Sequence, residues 1–511
     1  MNLTTMLEST VRRYPDKDAI VYGAERITYA ELLSASERAA RVLRERGVRP
    51  GDRVAVMTYN SPGFAVAAFG AWRAGAALVP VNHKLAPPEI EYTLAHCGAK
   101  VGVVSADLRA NAQAGAPQVD WLLTELGDDA PAHADRDFDR LTGAAEKWAG
   151  APVQESDIAQ VLYTSGTTSA PKGCLHTHRS ITTVAPYIAN TLGLDQDERV
   201  LIAMPIWHAA PLNVWFITTI FLGGTIVLMR EYHPLKFLET VQEQRITAFF
   251  GAPIAYLAPL QAARAAGKRP ADFDFSSMRR WTYGGAPIGA EVARRLQREY
   301  RSENFYQVYG MSEMGPTGTA LYPHEQITKA GSIGRCGMPG VDLRVVRPDG
   351  ADAAPGETGE IWLAGDTRMI GYLNDAAATA EVFEGRWYRS GDVARLDKDG
   401  YVYIVDRTKD VIITGGENVY SQEVEEAIGR RSDVLDVAVI GRPHPEWGET
   451  VVAVVVAARG AVLELDDLRD ELSDQLARYK IPRELVLVDE LPRNPSGKLT
   501  KHVLRKQLIT G

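Results

Sequence analysis

Residues 161–174 read Val-Leu-Tyr-Thr-Ser-Gly-Thr-Thr-Ser-Ala-Pro-Lys-Gly-Cys. The apolar lead-in Val161, Leu162 and Tyr163 predicts a short buried strand. Thr164, Ser165, Gly166, Thr167, Thr168 and Ser169 follow, and Lys172 and Gly173 close the segment. Hydroxyls donate hydrogen bonds without bulk, glycine lets backbone amides come close, and lysine adds charge. A strand feeding such a loop suits phosphate oxygens. A polar surface turn is the competing reading, because Ser, Thr and Gly clusters are mostly loops. The segment is not a Walker A loop: Pro171 precedes Lys172, and Gly173-Cys174 follows it.

Upstream, residues 28–46 carry a helical pattern, with Leu32, Ala35, Ala39, Val42 and Leu43 on one face. Thr28 with Glu31 fits a capping box and Gly47 a C-terminal stop. Strands are predicted at 53–57, 77–81 and 100–104, with helices at 64–74 and 88–96 between them. This alternation indicates layered α/β structure around a largely parallel sheet. Residues 106–156, rich in Ala, Gly, Asp and Pro, read as a loosely structured connection.

Downstream, His176 and His178 form a His-x-His pair that a strand would place on one face. A metal site needs a third ligand, and none lies nearby in sequence, so the pair reads as structural. Strands are predicted at 199–204, 225–229 and 248–251. Trp281 to Pro287 (with Gly284, Gly285 and Ala286) and Tyr306 to Glu313 (with Tyr309, Gly310 and Ser312) read as strands ending in small residues. The ends of parallel strands are where α/β proteins place ligands. From about residue 340 short strands are punctuated by Asp349-Gly350, Pro355-Gly356 and Asp399-Gly400 turns, which suggests a small barrel or distorted antiparallel sheet. A last α+β unit begins near Asp410.

With 511 residues the chain is long enough for two to four domains. A net charge of −9 argues against a nucleic-acid partner. The three scattered cysteines draw neither a disulfide framework nor a CxxC metal site, which suggests a reducing compartment, the cytoplasm. No signal peptide is read at the N-terminus. The most apolar stretch, 211–229, is broken by Asn213 and Gly223-Gly224, and reads as buried helix, glycine turn and strand rather than a membrane span.

Further strings complete the picture: Gly359-Glu360-Ile361 through Gly371-Tyr372, Tyr388-Arg389-Ser390-Gly391-Asp392, Asp406-Arg407-Thr408-Lys409-Asp410, Gly415-Gly416-Glu417-Asn418, and Pro492 to Lys498. With residues 163–173 and 306–313 they resemble, in order, the motifs of the adenylate-forming superfamily. That superfamily includes acyl-CoA synthetases, aryl-CoA ligases, peptide-synthetase adenylation domains and beetle luciferases. Ser312 and Ser390 stand where threonine is usual, which keeps the hydroxyl.

The resemblance implies a large α/β domain over residues 1–408, its β-rich part at about 335–408. A small mobile α+β domain over 409–511 would hinge at Lys409. It implies ATP, Mg²⁺ and coenzyme A as cofactors and a carboxylic acid substrate. Thr164, Ser165, Gly166, Thr167, Thr168 and Lys172 would hold phosphates and Glu313 the magnesium. Tyr309, Gly310, Ser312, Gly284, Gly285 and Ala286 would line the adenine site, and Asp392 and Arg407 the ribose. Lys498 would bridge the carboxylate and the α-phosphate. After rotation about Lys409, Gly416 and its neighbours would stand beside a pantetheine tunnel, with His208 between tunnel and acyl pocket and Tyr479 at the CoA nucleotide.

Trp207-His208-Ala209-Ala210-Pro211-Leu212 holds no acid to pair an amino group, so an amino-acid substrate is disfavoured. The expected reaction is acid, ATP and CoA to acyl-CoA, AMP and pyrophosphate, with a fatty or medium-chain acid favoured and an aryl acid as the alternative. Residues 331–360 are too compact for the insertion usual in ligases that serve an acyl carrier protein, which favours free CoA, although a carrier protein stays open. A light-emitting or oxidative relative would share the same motifs, and a homodimer is allowed.

Overall fold

The computed structural model describes residues 1–125, 136–164, 171–493 and 499–509. These separate into two compact units. Met1–Thr164, Pro171–Leu343 and Leu363–Tyr388 form the first. Arg344–Trp362 and the chain from Arg389 onward form the second.

The first unit contains two mostly parallel sheets. The seven-stranded sheet runs in the order Gly371–Tyr372, Lys172–Thr177, Ile158–Thr164, Ala77–Pro80, Arg53–Met57, Val101–Ser105 and Asp120–Thr124. The eight-stranded sheet runs Gly318–Leu321, Phe305–Gly310, Arg280–Gly284, Ala248–Gly251, Arg199–Ile202, Thr225–Leu228, Asp18–Tyr22 and Glu25–Thr28. Its central strands are near-continuous apolar runs, as parallel strands covered on both faces require. Trp281, Phe249, Phe237, Tyr256 and Tyr300 fill one side of it.

Local signals act where the sequence places them. Thr28 accepts from Glu31 N–H while Glu31 accepts from Thr28 N–H, and the helix Tyr29–Glu45 follows. The apolar stretch becomes a π-helix (Ala210–Ile217), a short α-helix (Thr218–Leu222), Gly223 in the left-handed region at φ +87°, and the strand Thr225–Leu228. Among the described residues no helix is long and apolar enough to cross a membrane.

Two expectations need correction. The stretch 106–156 is not merely a connection: it contains the helices Arg109–Gly115 and Phe138–Ala144 and the strand Asp120–Thr124, parallel to Val101–Ser105. Trp121 from this strand occupies the space a side chain at Gly102 would need, since a Cβ there would lie 2.4 Å from the indole. Nor do His176 and His178 share a strand face. His176 is in the strand Lys172–Thr177, whereas His178 opens the helix His178–Leu192, with Thr177 accepting from Ser180 N–H as its cap.

In the second unit a five-stranded sheet has the order Glu417–Val419, Ile412–Thr414, Gly448–Ala457 and Val434–His444, with Glu484–Leu487 parallel to Gly448–Ala457. Strand alternation divides its core: Val451, Ala453 and Val455 pack with Val424, Ile428 and Leu468, and Val452 and Val454 with Leu491 and Leu504. The terminal helix Lys501–Ile509 thus covers one face. Val402–Arg407 pairs antiparallel with the strand that begins at Trp387, placing Asp392 opposite Arg407.

Candidate active site

In the first unit the site is organised by the hairpin of Ile158–Thr164 and Lys172–Thr177. Its last described pair is Thr164 opposite Lys172. Ser165, Gly166, Thr167 and Thr168 lie outside the described residues, as does Lys498. Gly371–Tyr372 adds a third strand, with Tyr372 opposite Cys174. The Tyr372 hydroxyl donates to Glu313 Oε1 at 3.2 Å, and the Lys172 ammonium lies 5.1 Å from the centre of the same ring. One phenol therefore stands between a cation and a carboxylate. Burial and the Glu313 charge raise the pKa of Tyr372, and the same two causes raise that of Cys174, so both stay protonated.

His176 ties this hairpin to the turn that carries Glu313. Its Nε2–H donates to Ser312 O at 2.7 Å. Burial lowers its pKa to about 4, so the ring is neutral near pH 7. His178, lowered to about 4 by burial, accepts from Leu3 N–H through Nδ1 at 3.3 Å. Both rings serve the fold.

The proposed adenine-site residues occupy the carboxyl ends of neighbouring parallel strands, with Gly284 opposite Val308. A Cβ at Gly284 would lie 2.8 Å from Val308 O, and one at Gly310 would lie 2.4 Å from Pro316 O. Backbone crowding alone requires glycine at both. Gly285 sits at φ +83° with open space beside it. Tyr309 is half-buried in the strand Phe305–Gly310.

His208 begins the turn that enters the π-helix, with Leu212 N–H donating to its carbonyl at 3.1 Å. The residue keeps an exposed surface, while the protein atoms around its ring desolvate it and lower its pKa. Beside it, Trp207 Nε1–H donates to His83 Nδ1 at 3.2 Å, and His83 packs 4.8 Å from Tyr59. Trp215, within the π-helix, stacks on Phe250 at 6.2 Å.

The second unit holds the remaining residues. Arg407 Nε pairs with buried Asp392 Oδ1 at 3.0 Å. Glu360 braces the same segment, accepting from Gly391 N–H at 3.0 Å and Arg389 Nε at 3.1 Å. Gly415 and Gly416 form the two-residue link between Ile412–Thr414 and Glu417–Val419, both with positive φ, as a type I′ turn demands. Tyr479 lies in a short turn against the domain core, and neighbouring Lys480 is bound by both Glu423 oxygens at 2.8 Å. Residue roles missed from sequence include His176, Glu360 and Trp447. Trp447 is exposed under the Arg483 guanidinium at 4.6 Å, and its carbonyl accepts from Gly415 N–H at 2.8 Å.

Two layered α/β sheets, strand ends lined by glycine and a small α+β unit define an adenylate-forming architecture. Residues 7–373 match the profile of the AMP-binding enzyme family and 423–498 that of the AMP-binding enzyme C-terminal domain. The chain is 38% identical to a feruloyl-CoA synthase of an Amycolatopsis species over 97% of each. It is 35% identical to the long-chain-fatty-acid–CoA ligase FadD13 of Mycobacterium tuberculosis, over 94% of this chain and 93% of that one. The ATP-bound structure of MatB from Rhodopseudomonas palustris superimposes with a TM-score of 0.87 at 31% identity over 99% of each chain. The chain therefore belongs to the AMP-binding enzyme family, and its chemistry is AMP-forming acid–thiol ligation. ATP and CoA are the co-substrates of such CoA ligases.

Proposed function

We propose that this ligase activates a compact, apolar aryl acid as its acyl-adenylate and transfers the acyl group to CoA. The observation that carries the choice of acid is the fixed aromatic surround of His208. Trp207 packs 5.7 Å from His208 and is held by a hydrogen bond to His83, and His83 is walled by Tyr59. Hydrogen-bonded and packed rings yield little, so they favour a flat acid over a long flexible chain. Feruloyl-CoA synthase, a relative, is named for an aryl acid. A medium-chain fatty acid is the second reading, supported by the apolar Leu212 and Ala209 and by the resemblance to FadD13.

The first half-reaction brings a carboxylate anion onto the α-phosphate of a polyanion, so positive charge must be concentrated there. Thr164 and Lys172, with Ser165, Gly166, Thr167 and Thr168, hold the distal phosphates in this reading. Glu313, oriented by Tyr372, suits Mg²⁺, which commonly takes one or two carboxylates with phosphate oxygens. The magnesium would offset phosphate charge. Asp392 and Arg407 hold the ribose; Tyr309, Gly310, Ser312, Gly284, Gly285 and Ala286 hold the base. Lys498 neutralises the carboxylate and α-phosphate as they approach. Residues 409–511 then turn about Lys409, which replaces Lys498 by the Gly415–Asn418 segment for the thiol. His208 stands between the acyl site and that thiol, and Tyr479, with the Trp447–Arg483 stack, faces the CoA nucleotide.

Free CoA, rather than a carrier protein, is the acceptor in this reading, and the enzyme works in the cytoplasm. Mass spectrometry of a reaction with ATP, Mg²⁺, CoA and a mixed pool of aryl and fatty acids tests it. An aryl-CoA product is expected. A fatty acyl-CoA would select the second reading, and acyl-adenylate without thioester would refute CoA as the acceptor.

A further inference from the structure

The terminal helix Lys501–Ile509 begins three residues after Lys498 and is bonded to residues that follow Lys409, one of which reaches back across it. Lys501 Nζ donates to Ser421 Oγ at 2.5 Å and pairs with Glu425 Oε1 at 2.6 Å. Ser421 in turn donates its N–H (2.5 Å) and hydroxyl (2.8 Å) to Asp406 Oδ2. Asp406 Oδ1 accepts from Arg407 N–H at 2.7 Å. Further along the helix, Arg505 pairs with Asp410 at 2.9 Å. The links on Asp406 are buried, with Asp406 at 5% and Ser421 at 0% exposure. Lys501 keeps 12% of its side-chain surface.

Charged groups are rarely buried this far unless their geometry is specific, because removing one partner strands the other. Asp406 precedes the hinge residue and Ser421 follows it. The Ser421–Asp406 bonds therefore cross the pivot, whereas Lys501–Glu425 and Arg505–Asp410 lie wholly beyond it. A rotation about Lys409 carries Ser421 away from Asp406 and leaves the other pairs intact. In the two-orientation reading the crossing bonds therefore belong to one orientation only.

We propose that Asp406 and Lys501 are positioning residues: Asp406 latches Ser421 across the hinge, and Lys501 couples that latch to the helix following Lys498. The latch favours the orientation that forms the adenylate. The proposal rests on the two-orientation reading above. It assigns neither residue a contact with substrate.

Asp406→Asn keeps the shape and removes the charge; Lys501→Met keeps length without the ammonium; Lys501→Arg restores charge. Full-length enzyme carrying each is assayed separately for ATP–pyrophosphate exchange and for thioester formation from supplied acyl-adenylate. For Asp406→Asn and Lys501→Met we expect exchange to fall about tenfold or more, thioester formation to change less than about twofold, and Lys501→Arg to recover most of the exchange. Equal loss in both half-reactions, or no loss in either, overturns the proposal. Lys498→Ala is run beside them. If Lys498→Ala fails to separate the half-reactions, the underlying two-orientation reading falls. If it separates them and the latch variants do not, only the latch falls.

Discussion

The hairpin cluster of the first unit and the Asp392–Asp410 segment of the second both organise charged groups, but by opposite means. Around Glu313 the supports are neutral: a phenol hydroxyl from Tyr372, a histidine held unprotonated, and backbone carbonyls. Around Arg407 they are ionic: Asp392, Asp406, Glu425 with Lys501, and Asp410 with Arg505. A neutral frame leaves the positive charge of Lys172 available to ligand, because among the described residues it adds no competing carboxylate beyond Glu313. An ionic frame consists of links that can be exchanged for water or for other partners when a segment turns. The difference suits the fixed cradle and the turning segment of the proposed two-orientation cycle.

The comparison breaks most sharply at Glu313. Glu313→Gln preserves an acceptor for Tyr372 but removes the charge proposed for Mg²⁺. ATP–pyrophosphate exchange should fall about 10²–10³-fold, the usual scale for one electrostatic contact to a transferring group. Thermal stability should hardly move. A loss under tenfold at saturating Mg²⁺ would assign Glu313 to structure instead.

The neutral frame also predicts a pH dependence. The pKa of His176 is lowered from 6.5 to about 4 in the folded protein, so the unfolded chain binds the extra proton first. Stability from this group is complete above the unfolded value, decreases as pH falls from about 6.5 to about 4, and decreases no further below that. At 1.4 kcal/mol per unit the full loss is about 3 kcal/mol, and His178 adds in the same direction. Thermal unfolding across this range checks it. His176→Gln, which retains an N–H for Ser312 O, should flatten the slope. An unchanged slope would mean other groups control acid sensitivity.

At the ionic site the expected effect is smaller. Asp392→Asn keeps a hydrogen-bond acceptor but loses the charge that orients Arg407. If the pair holds ribose, the KM for ATP should rise about 10–100-fold with a lesser change in kcat, since hydrogen bonds to charged groups contribute about 1.5–3 kcal/mol. A fall in kcat alone would remove the pair from ground-state nucleotide binding.

These groups differed in how far the sequence disclosed them. The helix Tyr29–Glu45 was legible because its cap, apolar stripe and stop are local and agree. The Gly223-Gly224 turn between helix and strand was legible for the same reason. The strand Asp120–Thr124 was not: its flanks are Ala- and Gly-rich, and what fixes it is Trp121 in the notch at Gly102, a non-local fit. The strand reading of His178 failed because Thr177, three residues before Ser180, is a helix cap, and the cap ended the strand one residue early. Within the candidate site, motif strings named Glu313, Asp392 and Arg407. Their supports, Tyr372 and His176 for one and Glu360 for the others' segment, come from strand pairing and turns that bring distant residues together.

The smallest effect tests the choice of acid. Trp207→Phe retains an aromatic ring but removes the N–H that donates to His83. A neutral hydrogen bond contributes about 1 kcal/mol, so total activity on the best acid should fall only about threefold to tenfold. The ratio of kcat/KM between aryl and fatty acids is the sharper measure. A released ring can turn aside, and the proposed acyl site then admits a flexible chain that a fixed indole resists. The ratio should shift toward fatty acids by roughly the same factor, because the lost constraint is the lost bond. His83→Phe should give the same direction through the same partner. If both variants lose activity on aryl and fatty acids equally, the Trp207–His83 bond stabilises the fold near His208 without selecting among acids, and the aromatic surround no longer argues for an aryl substrate.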